Sequence, residues 1–168
     1  MPIIWLAQPS RIMNRIARLL SPSKIVLDLT PSSKKRVFEQ VSLLFENEHG
    51  LERAKTFDSL FQRERLGSTG LGNGVAIPHG RIKGLKETRA CLVRLVQPIA
   101  FEAPDEEPVK LLIFMLVPEN ASEEHLELLS ELAEMLTDDK IHDGLMHLET
   151  AEAILSLLQS WDPLQSAN

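Results

Sequence analysis

This chain carries one cysteine, Cys91, in 168 residues. With no second thiol to pair with, a disulfide framework is excluded, and a reducing, cytoplasmic setting fits. No apolar run approaches the roughly 18 residues that a membrane-spanning helix needs, so direct membrane insertion is not expected. Positive charge is outnumbered: 18 Lys and Arg stand against 24 Asp and Glu, a formal net charge of -6. That balance argues against nucleic acid as the main partner and suits a basic protein partner. Internal repeats, low-complexity tracts and obvious linkers are all missing. Glycine is sparse, with eight residues in all, which makes its distribution informative: five of the eight lie between Gly67 and Gly80.

Hydrophobic residues at 43% and charged residues at 25% are ordinary for a globular chain, and the length suits one domain with a sizeable core. Residues 1–20 form an apolar patch (Ile3 to Ala7) followed by Arg11, Arg15 and Arg18. That order is the reverse of a signal peptide, so a mobile or weakly amphipathic leader is expected, with Met13 an alternative start. Ile25-Val26-Leu27 reads as a short edge strand or an extended lead-in. Ser32 or Ser33 can cap a helix to about Asn47 whose stripe is Val37, Phe38, Val41, Leu44 and Phe45. A second helix, about Leu51 to Arg65, turns Ala54, Phe57, Leu60 and Phe61 inward. Val75-Ala76-Ile77 reads as a buried strand stopped by Pro78-His79-Gly80. Thr88 to Val96 alternates as a strand, broken by Gln97-Pro98, with a short pairing segment at Ile99-Ala100-Phe101. Val109 to Val117 is apolar on both faces, as expected of a central strand with helices on either side. A third helix runs from about Ser122 to Leu136, capped by Ser122 or Asn120, with His125, Leu128, Leu129, Leu132, Ala133 and Leu136 on its stripe. Helices over about Asp139 to Leu148 and Thr150 to Leu158 follow, then a polar tail over 161–168. The expectation is one α+β domain over 21–160, a small mixed sheet flanked by helices.

The stretch from Arg63 to Gly80 reads Arg-Glu-Arg-Leu-Gly-Ser-Thr-Gly-Leu-Gly-Asn-Gly-Val-Ala-Ile-Pro-His-Gly. Glycine at this density marks backbone that takes positive φ or is closely approached, here read as a single loop over Gly67 to Gly74. A P-loop would need Gly-Lys-Ser/Thr where this chain has Gly74-Val75-Ala76. A dinucleotide fingerprint follows a strand and opens a helix, whereas this stretch follows a helix and opens a strand. Metal binding is not expected: no Cys or His-Glu-x-x-His pattern joins His79 or His125, and His142 and His147 are five apart, the wrong spacing for one helical face. What remains is His79 as a nucleophile. A neutral imidazole keeps a ring-nitrogen lone pair for a phosphoryl group, and phosphoryl transfer asks a protein mainly for positioning and charge stabilisation. Arg63, Ser68, Thr69 and an inward-facing His125 in the first turn of its helix are the surrounding candidates. Each also has a plain structural reading: Arg63 as a cation at a helix C-terminus, Ser68 and Thr69 as turn formers, His125 as a core-edge residue. His49, His142 and His147 are read as surface residues. Spacing alone reaches a histidine presented on a loop and a candidate phosphate site.

The same eighteen residues resemble the signature of the enzyme IIA domains of the phosphoenolpyruvate-dependent phosphotransferase system, mannitol/fructose superfamily. The Gly-Ser-Thr-Gly-Leu-Gly-Asn-Gly version resembles the nitrogen-regulatory branch in particular. Pro98-Ile99-Ala100-Phe101, Leu116-Val117-Pro118 and Glu124-His125-Leu126 look like further family segments, and the likeness runs from about Ile25 to Leu158. The resemblance implies the mannitol/fructose-type enzyme IIA fold, with His79 phosphorylated on a ring nitrogen by an HPr-type phosphocarrier protein. It implies that Arg63 and His125 flank the phosphate, with Thr69 nearby, and that no cofactor is needed. It also implies a cytoplasmic protein that binds regulatory target proteins according to phosphorylation state. Alternatives are a sugar-specific fructose or mannitol IIA passing phosphate to a IIB component, and a binding module that takes no phosphate. Ile77, Leu71 and Phe101 are expected to form an apolar ring for the carrier, so that Leu71→Asp would slow phosphorylation.

Overall fold

The computed structural model describes residues 14–162. Its six α-helices and six strands, counted among the described residues, form three layers. The central strand is β6, Val109–Pro118, the most apolar segment of the chain, and only its Lys110 and Pro118 escape full burial. Its side chains alternate between two cores. Leu111, Ile113 and Met115 enter one; Leu112, Phe114 and Leu116 enter the other. A strand apolar on both faces is stable only when helices cover both, which is the arrangement found. On one face lie α2 (Lys34–His49) and α3 (Arg53–Leu66); on the other lie α4 (Ser122–Thr137), α5 (Asp139–His147) and α6 (Ala151–Ser160).

The sheet is mixed, as expected. β5 (Arg89–Ile99) runs antiparallel to β6 on one side and carries the edge strand β1 (Ile25–Leu29) parallel to it. β5 continues through Gln97 and Pro98 instead of breaking there. The register shifts between Arg94 and Ile99, so the residue that cannot donate to a ladder falls in an irregular stretch beyond the last β1 partner, Leu95.

On the other side of β6, β3 (Val75–Ala76) and β4 (His79–Ile82) both run parallel to it. Val75 faces Leu111, Ala76 faces Leu112 and His79 faces Met115, so the register is unchanged across the gap. Pro78 therefore interrupts one strand; it does not end it. The Ile77 N–H turns away to the Thr69 carbonyl at 3.1 Å, and the Pro78 carbonyl accepts from Met115 N at 2.9 Å. His79 opens β4, an edge segment flanked by α3, where the Ser59 hydroxyl donates to the Arg81 carbonyl at 2.7 Å.

The glycine stretch is a hairpin, where a single loop was expected. β2 (Gly70–Gly72) pairs antiparallel with β3. Asn73 and Gly74 form the turn, with φ of 55° and 80°, the two positive values that an Asn-Gly hairpin turn demands. Its tip is tethered: Asn73 N donates to Asp105 Oδ2 at 2.9 Å, and His142 Nε2 donates to the Asn73 carbonyl at 2.8 Å.

Several expected boundaries move. Residues 14–20, assigned above to a leader, are folded: α1 (Arg15–Arg18) buries Ile16 and Ala17, and Leu20 joins the same core. The Asn14 side chain accepts from Ala17 N and donates to the Leu158 carbonyl and, at 3.2 Å, to that of Trp161. This ties the first helix to the last, a long-range partnership that local periodicity does not encode. Trp161, placed above in the polar tail, is 4% exposed. The rest of the expected leader and tail, 1–13 and 163–168, lies outside the described residues. The Ser33 cap of α2 and the Thr150 cap of α6 are as expected, whereas the N-cap position of α4 falls on Ala121 without a side-chain bond. No helix among the described residues is long and apolar enough to cross a membrane.

Candidate functional site

A cleft of about 910 Å³ opens between α3, strand β4 and the first turn of α4. Arg63 and Leu66 line it from α3, His79 and Arg81 from β4, and His125 from α4. Each arrives for a local reason. Arg63 sits in the last turn of α3, where a cation is favoured, and donates to the Gly67 carbonyl at 2.8 Å. His79 and Arg81 are two apart on a strand and so share a face. His125 lies on the inward stripe of α4 and is 7% exposed.

The His79 and His125 rings stand 5.3 Å apart between centroids, inclined by 50°. His79 Nδ1 lies 2.9 Å from the Ile77 carbonyl. A carbonyl only accepts, so Nδ1 carries the hydrogen and Nε2 keeps the lone pair. His125 Nδ1 is buried and has no hydrogen-bond partner among the described residues. The lining includes the cations Lys55, Arg63, Arg81 and Lys83 against the single carboxylate of Asp58. The cleft is thus cationic in a chain of net charge -6. Arg63 and Arg81 each spend one donor on a carbonyl, of Gly67 and Glu119 respectively. A guanidinium has five, so both retain donors for an anion.

Burial lowers the His79 pKa from its ordinary 6.5. Arg63 and Arg81 lower it further, while the Ile77 hydrogen bond and the Glu64 charge oppose them. His125 is lowered by burial, by His79 and by Arg81. Both imidazoles therefore hold a proton less readily than a free histidine, and the neutral form dominates at pH 7. A pH titration followed by ¹H–¹⁵N NMR is expected to place both midpoints below 6.5; a midpoint above it for His79 would contradict the electrostatics described. Because the unfolded chain takes up these protons first, the two histidines make stability fall as the pH drops below about 6.5.

The structure brings His79, His125 and Arg63 together. It does not bring Ser68 or Thr69 to the cleft. The Ser68 hydroxyl donates to the Phe101 carbonyl at 3.0 Å, and the Thr69 hydroxyl donates to Glu64 Oε2 at 2.6 Å. Nor does the glycine hairpin line the cleft. None of the three residues expected in the apolar ring lines the cleft: Ile77 and Phe101 are 8% and 1% exposed, and Leu71, though exposed, lies outside it. Leu66 at 85% and Leu126 at 65%, beside Arg63 and His125, present apolar surface in their place. Sequence reasoning missed Arg81 and Glu64. The period of two on a strand signals Arg81 once His79 is placed on one. No periodic signal marks Glu64, whose partners are Thr69, five residues on, and the distant Lys34.

Comparison with known proteins matches residues 18–161 to the family described as "Phosphoenolpyruvate-dependent sugar phosphotransferase system, EIIA 2". The nitrogen regulatory protein of Pseudomonas aeruginosa is 43% identical over 147 residues, covering 87% of this chain and 96% of that protein. Among solved structures, the nitrogen regulatory protein IIA-Ntr from Neisseria meningitidis superposes with a TM-score of 0.81 at 49% identity, over 85% of this chain and 98% of that one. The IIA mannitol structure from Escherichia coli gives 0.71 at 22% identity over 83% and 98%, a likeness of fold.

Proposed function

This chain belongs to the phosphoenolpyruvate-dependent sugar phosphotransferase system EIIA 2 family, and we propose that within it the protein is a nitrogen-regulatory phosphocarrier. In this reading His79 accepts a phosphoryl group from an HPr-type carrier in the cytoplasm, and target proteins respond to whether it is phosphorylated. The observation that carries the proposal is the tautomer: with Nδ1–H held by the Ile77 carbonyl at 2.9 Å, Nε2 is the nucleophile, in a cationic cleft beside a second histidine. The regulatory branch is favoured over a sugar-specific IIA by the identity of 43% and 49% to proteins named as nitrogen regulatory.

The transfer balances without a base. The Nε2 lone pair attacks phosphorus as the donor's P–N bond breaks, and that bond's electron pair returns to the donor nitrogen. No proton has to leave His79, because Nδ1–H stays where it is and the positive charge that the ring gains is met by the Ile77 carbonyl. Arg63, Arg81 and His125 stabilise charge on the equatorial oxygens, which is most of what such a transfer asks of a protein. Ser68 and Thr69 act in this reading by holding backbone and not as phosphate ligands. Since the neutral imidazole is the nucleophile, the transfer rate is expected to hold as the pH falls through 6.5 and to drop only through the lowered His79 pKa.

Leu66, exposed on the cleft wall, offers the carrier apolar surface, and the exposed Leu126 follows His125 in the chain. Leu66→Asp replaces a side chain 85% exposed, so the fold should be unaffected while transfer slows by about tenfold or more, the effect of losing a contact worth upwards of about 1.4 kcal/mol. An unchanged rate would remove Leu66 from the interface. The function itself is tested by supplying phosphoenolpyruvate, enzyme I and an HPr-type carrier: an acid-labile, base-stable label on this chain is expected. No label with the carrier itself phosphorylated refutes the reading, and efficient passage of the label to a IIB component would make the protein a sugar-specific IIA.

A further inference from the structure

The cleft explains Arg63 but not its neighbour. Glu64 points into the protein and is 4% exposed, a rare setting for a carboxylate. It is satisfied there by one distant donor, Lys34, and by one five residues along the chain, Thr69. Lys34 Nζ, from the start of α2, stands 2.8 Å from Oε1. The Thr69 N–H donates to Oε1 at 3.1 Å and the Thr69 hydroxyl to Oε2 at 2.6 Å. Thr69 is itself 5% exposed, so this pair fixes the residue that enters the glycine hairpin.

The chain of hydrogen bonds does not stop at Thr69. Its carbonyl accepts the Ile77 N–H at 3.1 Å, and the Ile77 carbonyl accepts His79 Nδ1–H at 2.9 Å. The peptide groups on either side of Ile77 are thus held at both ends, one bond to the hairpin and one to the imidazole. The Pro78 carbonyl still accepts from Met115 N on β6, whereas the Ile77 N–H is held from the hairpin side by the Thr69 carbonyl. We propose that Glu64 is a positioning residue which, through Thr69 and Ile77, fixes His79 as its Nδ1–H tautomer and so leaves Nε2 as the reacting nitrogen. The consequence for phosphoryl transfer rests on the function proposed above; the tautomer itself does not.

A bond network of this kind outperforms a bare salt bridge in one respect. A buried Lys34–Glu64 pair alone would stabilise the fold without reference to the imidazole, whereas the Thr69 hydroxyl ties the carboxylate to the backbone that faces His79. The two roles separate experimentally at Thr69. Thr69→Ser keeps the hydroxyl; Thr69→Val removes it while keeping the branched shape, and leaves the Lys34–Glu64 pair in place.

The tautomer is read from the ¹⁵N shifts of His79 in long-range ¹H–¹⁵N spectra of the full chain. The wild type and Thr69→Ser are expected to show one protonated and one unprotonated nitrogen. Thr69→Val is expected to show the two shifts drawn together by exchange between tautomers, with phosphoryl transfer slowed by about tenfold or more, since misplacing a reacting group by about an ångström can cost on the order of 10²-fold. Glu64→Gln is expected to do the same where it folds. A folded Thr69→Val whose His79 shifts match the wild type overturns the proposal. Shifts that move in Thr69→Val, in a protein that takes no phosphate even as wild type, would uphold the tautomer relay and defeat the acceptor reading, so the two fail separately.

Discussion

His79→Ala is expected to abolish the phosphorylated species outright, while His125→Ala leaves it forming about 10²-fold more slowly. The difference follows from what each ring does. In the proposed function His79 Nε2 supplies the electron pair of the new bond, and no other histidine lines the cleft except His125. An alanine methyl has no lone pair, and the loss is complete. His125 acts on the charge that develops around phosphorus, and removing one preorganised donor of that kind costs about 10²–10³ in rate. The ring is 7% exposed, so His125→Ala also leaves a small void in the first turn of α4. Circular dichroism and a thermal melt must therefore accompany the kinetics. The measurement is single-turnover transfer from the phosphorylated carrier at fixed pH. Label retained on His79→Ala would place the acceptor elsewhere; His125→Ala as inert as His79→Ala, in a folded protein, would give His125 a covalent role.

The residues proposed to react were more legible in the sequence than the framework that aims them. His79 stood out because Pro-His-Gly followed a short apolar run. His125 stood out because its position on the stripe of α4 required it to face inward. Both are local signals, read over a few residues. The central strand β6 was legible for the same reason, since nine successive positions from Val109 to Val117 are apolar apart from Lys110. The density of glycines led to the expectation of a single loop, although the dipeptide Asn73-Gly74 was already the strongest short-range signal for a hairpin. Once that hairpin forms, Gly70 and Gly72 belong to a strand and Ser68 and Thr69 turn to the carbonyl of Phe101 and the carboxylate of Glu64. The edge position of β4, the burial of Glu64 and the docking of α1 through Asn14 depend on partners between five and 147 positions away along the chain. Local period cannot carry that information, because the nearest partners in space come from different elements.

Gly80→Ala tests how that framework sets the geometry of the cleft, and its expected effect is the largest of any change that leaves all the reacting side chains in place. A Cβ at position 80 would overlap the Ser59 hydroxyl and stand 3.0 Å from the Ser59 carbonyl carbon and 3.1 Å from its oxygen. Backbone cannot swing aside as a side chain can, so α3 must back away from β4. The Ser59 bond to the Arg81 carbonyl, at 2.7 Å, is then stretched or lost. Overpacking of this kind costs roughly 1–3 kcal/mol of stability. The functional cost should be greater in proportion, because α3 carries Arg63 while β4 carries His79 and Arg81, and the displacement falls on the distance between them. An error of about an ångström there is worth on the order of 10² in rate. Gly67→Ala is the matched control. Its φ of 162° is extended backbone open to any residue, and nothing lies within 4 Å of a Cβ there. It should melt and transfer like the wild type although it sits in the same glycine-rich stretch. If Gly80→Ala transfers at the wild-type rate, the close approach of α3 to β4 does not set the site; if Gly67→Ala is equally damaged, the requirement is for flexible backbone and not for space.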